Sequence, residues 1–154
     1  MVPQAAPPPA DSGTIEDVLA LLRARGGRVT SPRRLLLAAL FGSDAHRSAE
    51  DLAAEVQASA PDVHLSTIYR NLEELERLGV VVHSHFGHGP ATYHLATGAH
   101  AHFLCEECGA TFEAPLDALA PLAAAAEEAL GFEIDPFHFA IPGRCARCRA
   151  AAAT

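Results

Sequence analysis

The chain has 154 residues, a formal net charge of −8, 49% hydrophobic and 19% charged residues. That length holds one domain or two small ones with modest cores, and no run approaches the roughly 20 apolar residues of a membrane helix. The acidic balance excludes a generally basic nucleic-acid coat, although all eleven basic residues are arginines and eight of them precede residue 80, so local clusters that meet phosphates are still available.

"MVPQAAPPPADSG" (1–13) has neither the basic start nor the apolar stretch of a signal peptide and reads as a disordered proline-rich leader, which implies a cytoplasmic protein. A first helix is predicted over "TIEDVLALLRAR". Thr14 caps it, Glu16 and Asp17 lie in its first turn, and Gly26 and Gly27 end it. Ser31 is expected to cap the second helix, "SPRRLLLAALFG", with Pro32 at its first position. The third, "SAEDLAAEVQAS", pairs a Ser48 cap with Asp51 three residues on. In the fourth, "LSTIYRNLEELERLGVV", Ser66 is expected to cap, Ile68, Leu72, Leu75 and Leu78 form one stripe, and Gly79 stops the helix. Two strand-like segments, Val80 to His85 and Thr92 to Leu95, then flank the turn "GHGP".

Three short helices, a more polar fourth and a β-hairpin follow the order of a winged helix-turn-helix, in which the fourth helix enters the major groove. Tyr69 would touch a thymine methyl or a phosphate, and Arg70 a phosphate or a guanine edge. The same periodicity also fits an ordinary helical bundle with a solvated polar face.

The second half is dominated by sulfur and imidazole. Cys105 with Cys108 and Cys145 with Cys148 are C-x-x-C pairs beside Gly109 and Gly143. Where thiols are kept reduced, such pairs point to four thiolates on tetrahedral zinc rather than to a redox or disulfide role. Between them, "ATFEA" reads as a strand, "PLDALAPLAAAAEEALG" as a helix and "FEIDPFHFAIPG" as a further strand. His83 with His85, and His100 with His102, are alternate-residue pairs whose rings share one face of a strand. Imidazoles with few carboxylates suit zinc, nickel, copper or ferrous iron. His64 reads as a surface or core histidine, and His88 as a turn histidine.

From Thr14 to Arg149 the chain resembles the ferric uptake regulator (Fur) family, through "RVTSPRRLLL", "HRSAEDL", "STIYRNLEELERLGVV" and above all "HAHFLCEECG" followed by "GRCARC". The resemblance implies an α+β protein, with an N-terminal winged helix-turn-helix DNA-binding domain (14–96), a C-terminal α/β metal-binding dimerisation domain (97–149) and a short tail (150–154). It also implies a homodimer on an AT-rich inverted-repeat DNA operator, with Arg33, Ser66, Thr67, Tyr69 and Arg70 as the DNA-binding residues. The family's interdomain sensing site maps onto His46, His94, His100, His102 and Glu113. A further family site falls on Ala99, Ala101 and Phe137 and is expected to be absent.

Within the family, "HSHFGHGPATYHL" and "HFAIPGRC" resemble the nickel uptake regulator subgroup, whose nickel site maps onto His83, His85 and His138. A histidine-rich run shorter than that subgroup's leaves His94 or Glu113 to complete the sensing site. The expectation is a nickel-responsive repressor of metal-uptake genes holding structural Zn2+ and regulatory Ni2+. An effector of Fe2+ or Zn2+ is the alternative, and a metal-buffering protein without DNA binding is a reading from another class. The peroxide-sensing branch uses aspartates where His94 and Glu113 stand, and neither Ser66 nor the cysteines form a nucleophile–base pair that would make an enzyme.

Overall fold

The computed structural model describes residues 13–43, 45–87, 89–97, 100–135 and 140–151. The leader reading therefore lies almost wholly outside the described residues, as do His88, His138, Ala99 and Phe137. The chain divides into two compact units, Met1–His83 with Ala91–Gly98, and Ser84–Pro90 with Ala99–Thr154.

The first unit opens with helix α1 (Ile15–Ala24), capped by Thr14, whose hydroxyl accepts from the Asp17 amide at 3.2 Å. Helix α2 (Ser31–Phe41) starts one residue earlier than its serine suggested. Thr30 is the cap, its hydroxyl accepting from the Arg33 amide, and Ser31 and Pro32 fill the first two helical positions. Strand β1 (Arg47–Ser48), not foreseen, leads into α3 (Ala49–Ser59), where Ser48 and Asp51 form the expected reciprocal capping box.

Helix α4 (Leu65–Arg77) corrects a second cap. Ser66 lies inside the helix, and the cap position belongs to the exposed His64, which makes no side-chain capping bond. The hydrophobic stripe explains the shift. Ile68, Asn71, Leu72 and Leu75 are buried, and their spacing keeps Leu65 in helical phase with the core, where it packs at partial burial. Gly79 adopts φ 71°, a left-handed conformation that suits glycine, and the Val80 amide closes onto the Leu75 carbonyl at 2.9 Å.

That turn delivers β2 (Val81–His85), followed by β3 (Ala91–Leu95) in a sheet of order β1-β3-β2. β1 and β3 are antiparallel, with Arg47 opposite Tyr93. The core draws Val18, Leu19 and Leu22 from α1, Leu36 and Leu37 from α2, Leu52 and Val56 from α3, and Ile68, Leu72 and Leu75 from α4. Each fully buried Leu, Ile or Val contributes roughly 1.5–3 kcal/mol relative to exposure, so this unit carries its own stability.

The second unit is built differently. Strand β4 (His100–Cys105) lies between β5 (Thr111–Pro115), antiparallel to it, and β6 (Ala140–Gly143), parallel to it. A short 3-10 turn (Leu116–Leu119) and helix α5 (Ala120–Leu130) join β5 to the segment before β6, and α6 (Ala146–Ala151) follows. The segment read as one strand over 132–143 keeps strand geometry only at β6 among the described residues, and α6, unforeseen, reaches into the segment read as a tail. The buried hydrophobic residues described in this unit are Ala101, Cys105, Leu119 and Cys148, and α5 buries none of its own. A unit with so little apolar core needs another source of stability, and two of those four buried residues are thiols.

Candidate metal centres and nucleic-acid interface

Cys105 ends β4, Cys108 lies on the turn after it, Cys145 precedes α6 and Cys148 sits within α6. Gly109 at φ 71° lets the first pair's turn close, with its amide on the Cys105 carbonyl at 2.8 Å. The Glu106 amide reaches the Gly143 carbonyl at 2.9 Å and brings the second pair alongside. The four sulfurs lie within 4.8 Å of one another, and Cys108 and Cys145 are 3.9 Å apart. A tetrahedral zinc with bonds of about 2.3 Å spaces its sulfurs by about 3.8 Å, so the set needs only slight contraction to hold one. All four cysteines are free thiols.

The surroundings favour thiolate at part of this set. The Cys145 amide, donating to the Cys105 sulfur at 3.3 Å, pulls that thiol down to about 6, and the Cys108 amide adds to the effect. Cys108 is lowered too, first by the Ala110 amide. Cys148 is pushed up to about 12, chiefly by its hydrogen bond with Cys145. Protons in the metal-free cluster are thus unevenly held, and a cation would displace the last of them. Arg144, paired with Glu107 at 2.8 Å, borders the cluster.

The histidines assigned to sensing occur as two close pairs, one in each unit. In the first unit the rings of His46 and His94 lie 4.4 Å apart at 63°. His94 Nδ1 faces the Leu95 carbonyl at 2.9 Å, which selects the Nδ1–H tautomer and leaves the lone pair on Nε2. In the second unit the β4 rings of His100 and His102 are 4.6 Å apart. Glu113, on β5 opposite His102, brings its carboxylate within 3.2 Å of His100 Nε2. His102 is buried, with Ser84 Oγ at 3.4 Å from its Nδ1 and the Phe86 ring edge-on at 5.1 Å.

His83 and His85 stand at alternate positions of β2, on the face opposite the buried Ser84. His83 is half-buried, and its Nδ1 is hydrogen-bonded to the Glu76 carboxylate of α4. His138, assigned with them, lies outside the described residues. Glu76, Ser84 and Asn71 escaped sequence reasoning, because none belongs to a spacing motif and each acquires its role only through tertiary closure.

Of the residues expected to contact DNA, α4 exposes Ser66, Tyr69 and Arg70 and keeps Thr67 half-buried. Tyr69 donates its hydroxyl to Glu50 at 3.0 Å, and Arg70 Nε donates to the Ser66 carbonyl at 3.3 Å. Arg33 is half-buried, its Nε donating to Asn71 Oδ1 at 2.7 Å. Arg28, Thr30, Arg33, Thr67 and Arg70 line an open cleft of about 320 Å³. Among the described residues no helix is long and apolar enough to cross a membrane.

A winged helix joined to a small α/β unit with clustered thiols and imidazoles defines a metal-dependent DNA-binding regulator. The family described as the ferric uptake regulator family matches residues 24–141. The ferric uptake regulator of Pseudomonas aeruginosa, solved with manganese, is similar with a TM-score of 0.65 and 32% identity over 86% of this chain and 99% of that one. The ferric uptake regulator of Francisella tularensis, solved with iron, gives 0.62 and 26%, over 80% and 96%. The peroxide-responsive repressor PerR of Staphylococcus aureus (strain USA300) is 27% identical over 135 residues, 88% of this chain and 91% of that protein. The chain belongs to the ferric uptake regulator family, whose members are metal-responsive transcriptional regulators that bind DNA and act as dimers.

Proposed function

We propose that this protein is a nickel-responsive repressor that binds an AT-rich inverted-repeat operator as a homodimer. In this reading Cys105, Cys108, Cys145 and Cys148 hold a structural zinc. His46, His94, His100, His102 and Glu113 form the sensing site, and His83, His85 and His138 bind nickel. Nickel(II) prefers imidazole-rich square-planar or octahedral sites. The nickel assignment rests on the imidazole set His83, His85 and His138 of the subgroup resemblance. The Glu76 carboxylate on His83 Nδ1 supports His83 as a ligand, because metal-bound histidines characteristically donate their other ring N–H to such a group. Dimerisation is supported by exposed Phe112, Leu122, Leu130 and Phe132, apolar side chains of the second unit that a partner chain would cover. Arg33, Ser66, Thr67, Tyr69 and Arg70 form the proposed DNA contact set.

Sensing is a population shift. A metal that draws ligands from both units favours the one arrangement in which they converge, and only differential affinity for that arrangement drives DNA binding.

A second reading keeps the fold and assigns iron or zinc as effector through the sensing histidines, supported by the iron-bound relative. Fluorescence anisotropy on an inverted-repeat operator, with Ni(II), Fe(II), Zn(II) and Mn(II) added separately, decides between them. The nickel reading expects a response to nickel well below the concentration at which the others act, and its loss in the double variant His83→Ala/His85→Ala. A response that survives that double substitution assigns the effector to the second reading.

A further inference from the structure

We propose that Glu76 is a positioning residue for His83 and sets how strongly that imidazole binds metal. The inference rests on His83 being a metal ligand, as proposed above, and adds a residue that no spacing motif marks. Glu76 stands one residue before the end of α4, and the tight turn at Gly79 folds β2 back so that the Glu76 carboxylate meets His83 Nδ1. Both side chains are about three-quarters covered, 25% exposed for His83 and 23% for Glu76, so water competes poorly for either. The neighbouring acid and base do not replace this pair. Arg77 is engaged with Glu74, and the Tyr93 ring flanks the imidazole at 5.9 Å.

A carboxylate accepting from Nδ1–H fixes the tautomer with its lone pair on Nε2, pins the ring plane and makes Nε2 a stronger donor. Glu76 also belongs to the helix that exposes Tyr69 and Arg70. Its bond to His83 therefore ties a wing ligand to the last turn of the DNA-reading helix, so a metal held at His83 also restrains that turn.

The test uses the full-length zinc-loaded protein with H83A, E76A, E76Q and the double variant H83A/E76A. Nickel(II) affinity is measured by competition with a chromophoric chelator, and the His83 tautomer by long-range 15N–1H spectra without nickel. H83A and E76A are each expected to weaken nickel binding about 10- to 100-fold. E76Q, whose amide oxygen still accepts from Nδ1–H, should lose less, and the double variant should be no weaker than H83A alone. The wild-type spectrum should show Nδ1–H at His83, and E76A should move it toward the Nε2–H form of free imidazole. E76Q carries the comparison if E76A does not fold. Nickel binding weakened by H83A but untouched by both Glu76 variants overturns this proposal and leaves the nickel reading standing. Nickel binding untouched by H83A overturns both.

Discussion

Arg33 Nε donates to Asn71 Oδ1 at 2.7 Å, Asn71 Nδ2 donates to the Thr67 carbonyl at 2.8 Å, and Arg33 Nη1 reaches the Arg28 carbonyl at 2.9 Å. The start of α2 is thereby bound to the buried face of α4. Asn71 is 6% exposed, so removing the guanidinium strands a buried acceptor. Arg33→Ala is expected to destabilise the first unit by about 1–3 kcal/mol in urea denaturation. Arg70→Ala should act the other way round, leaving stability intact and lowering the salt-dependence slope of operator binding by about 1. Equal slopes for Arg70→Ala and wild type would remove Arg70 from the phosphate contacts.

The capping box of α3 gives a pH-dependent prediction. Asp51 accepts from the Ser48 hydroxyl at 2.6 Å and from the Ser48 amide at 3.2 Å, and these bonds hold its carboxyl below the ordinary 3.8. A carboxyl depressed in the folded state adds stability above its unfolded value and loses it as pH falls through the folded value. Ser48→Ala should cost about 1 kcal/mol near neutrality through the lost cap. It should also flatten the decline in stability below about pH 4, as followed by circular dichroism across an acid titration. An unchanged acid limb would show that Asp51 acts independently of Ser48.

How much of this was legible in the sequence follows the range of the interaction. Ser48 with Asp51, Thr14 with Asp17 and the stripe of Ile68, Leu72 and Leu75 are contacts within four residues, so spacing exposed them. The caps of α2 and α4 depart from the sequence expectation because adjacent threonine and serine satisfy the same local rule in α2, whereas in α4 the phase of the buried stripe leaves the cap position to His64. Thr30 is therefore the cap ahead of Ser31, and Ser66 is drawn inside α4. The two cysteine pairs were readable because thiol chemistry narrows the choices. Glu76 to His83, Ser84 to His102 and Arg33 to Asn71 depend on strands and helices folding back on one another, and no local pattern encodes them.

Tyr69, the aromatic residue of the proposed DNA contact set, is hydrogen-bonded to Glu50 at 3.0 Å, and this bond raises its phenol above the ordinary 10. Tyr93 is pushed up to about 12, first by burial and then by Glu76. The chain has two tyrosines, so the tyrosinate absorbance should rise at pH above the ordinary value, with Tyr93 ionising last. Glu50→Gln removes a negative charge that a phosphate would meet. It should lower the Tyr69 transition, lower that of Tyr93 by less, since Glu50 is the smallest of the influences that raise it, and tighten operator binding about two- to five-fold, the scale of an exposed charge interaction. Operator affinity unmoved by Glu50→Gln would place Tyr69 away from the DNA.

The second unit yields the strongest prediction, because its buried hydrophobic residues, among those described, are Ala101, Leu119 and two members of the thiol cluster. A zinc held by Cys105, Cys108, Cys145 and Cys148 would supply folding free energy that such a small core cannot, since a site formed only in the folded state stabilises that state alone. Wild type is expected to carry one chelator-resistant zinc per chain by mass spectrometry, and Cys148→Ser to abolish it and to broaden the amide resonances of β4, β5 and α6. The first unit, with its own leucine-rich core, should keep its helical signal and unfold cooperatively at nearly its original midpoint. DNA binding should still fall, because the proposed dimer face and the proposed sensing residues His100, His102 and Glu113 lie in the lost unit. A Cys148→Ser protein that retains stoichiometric zinc and native β4 resonances would show that the second unit is stabilised by packing rather than by metal.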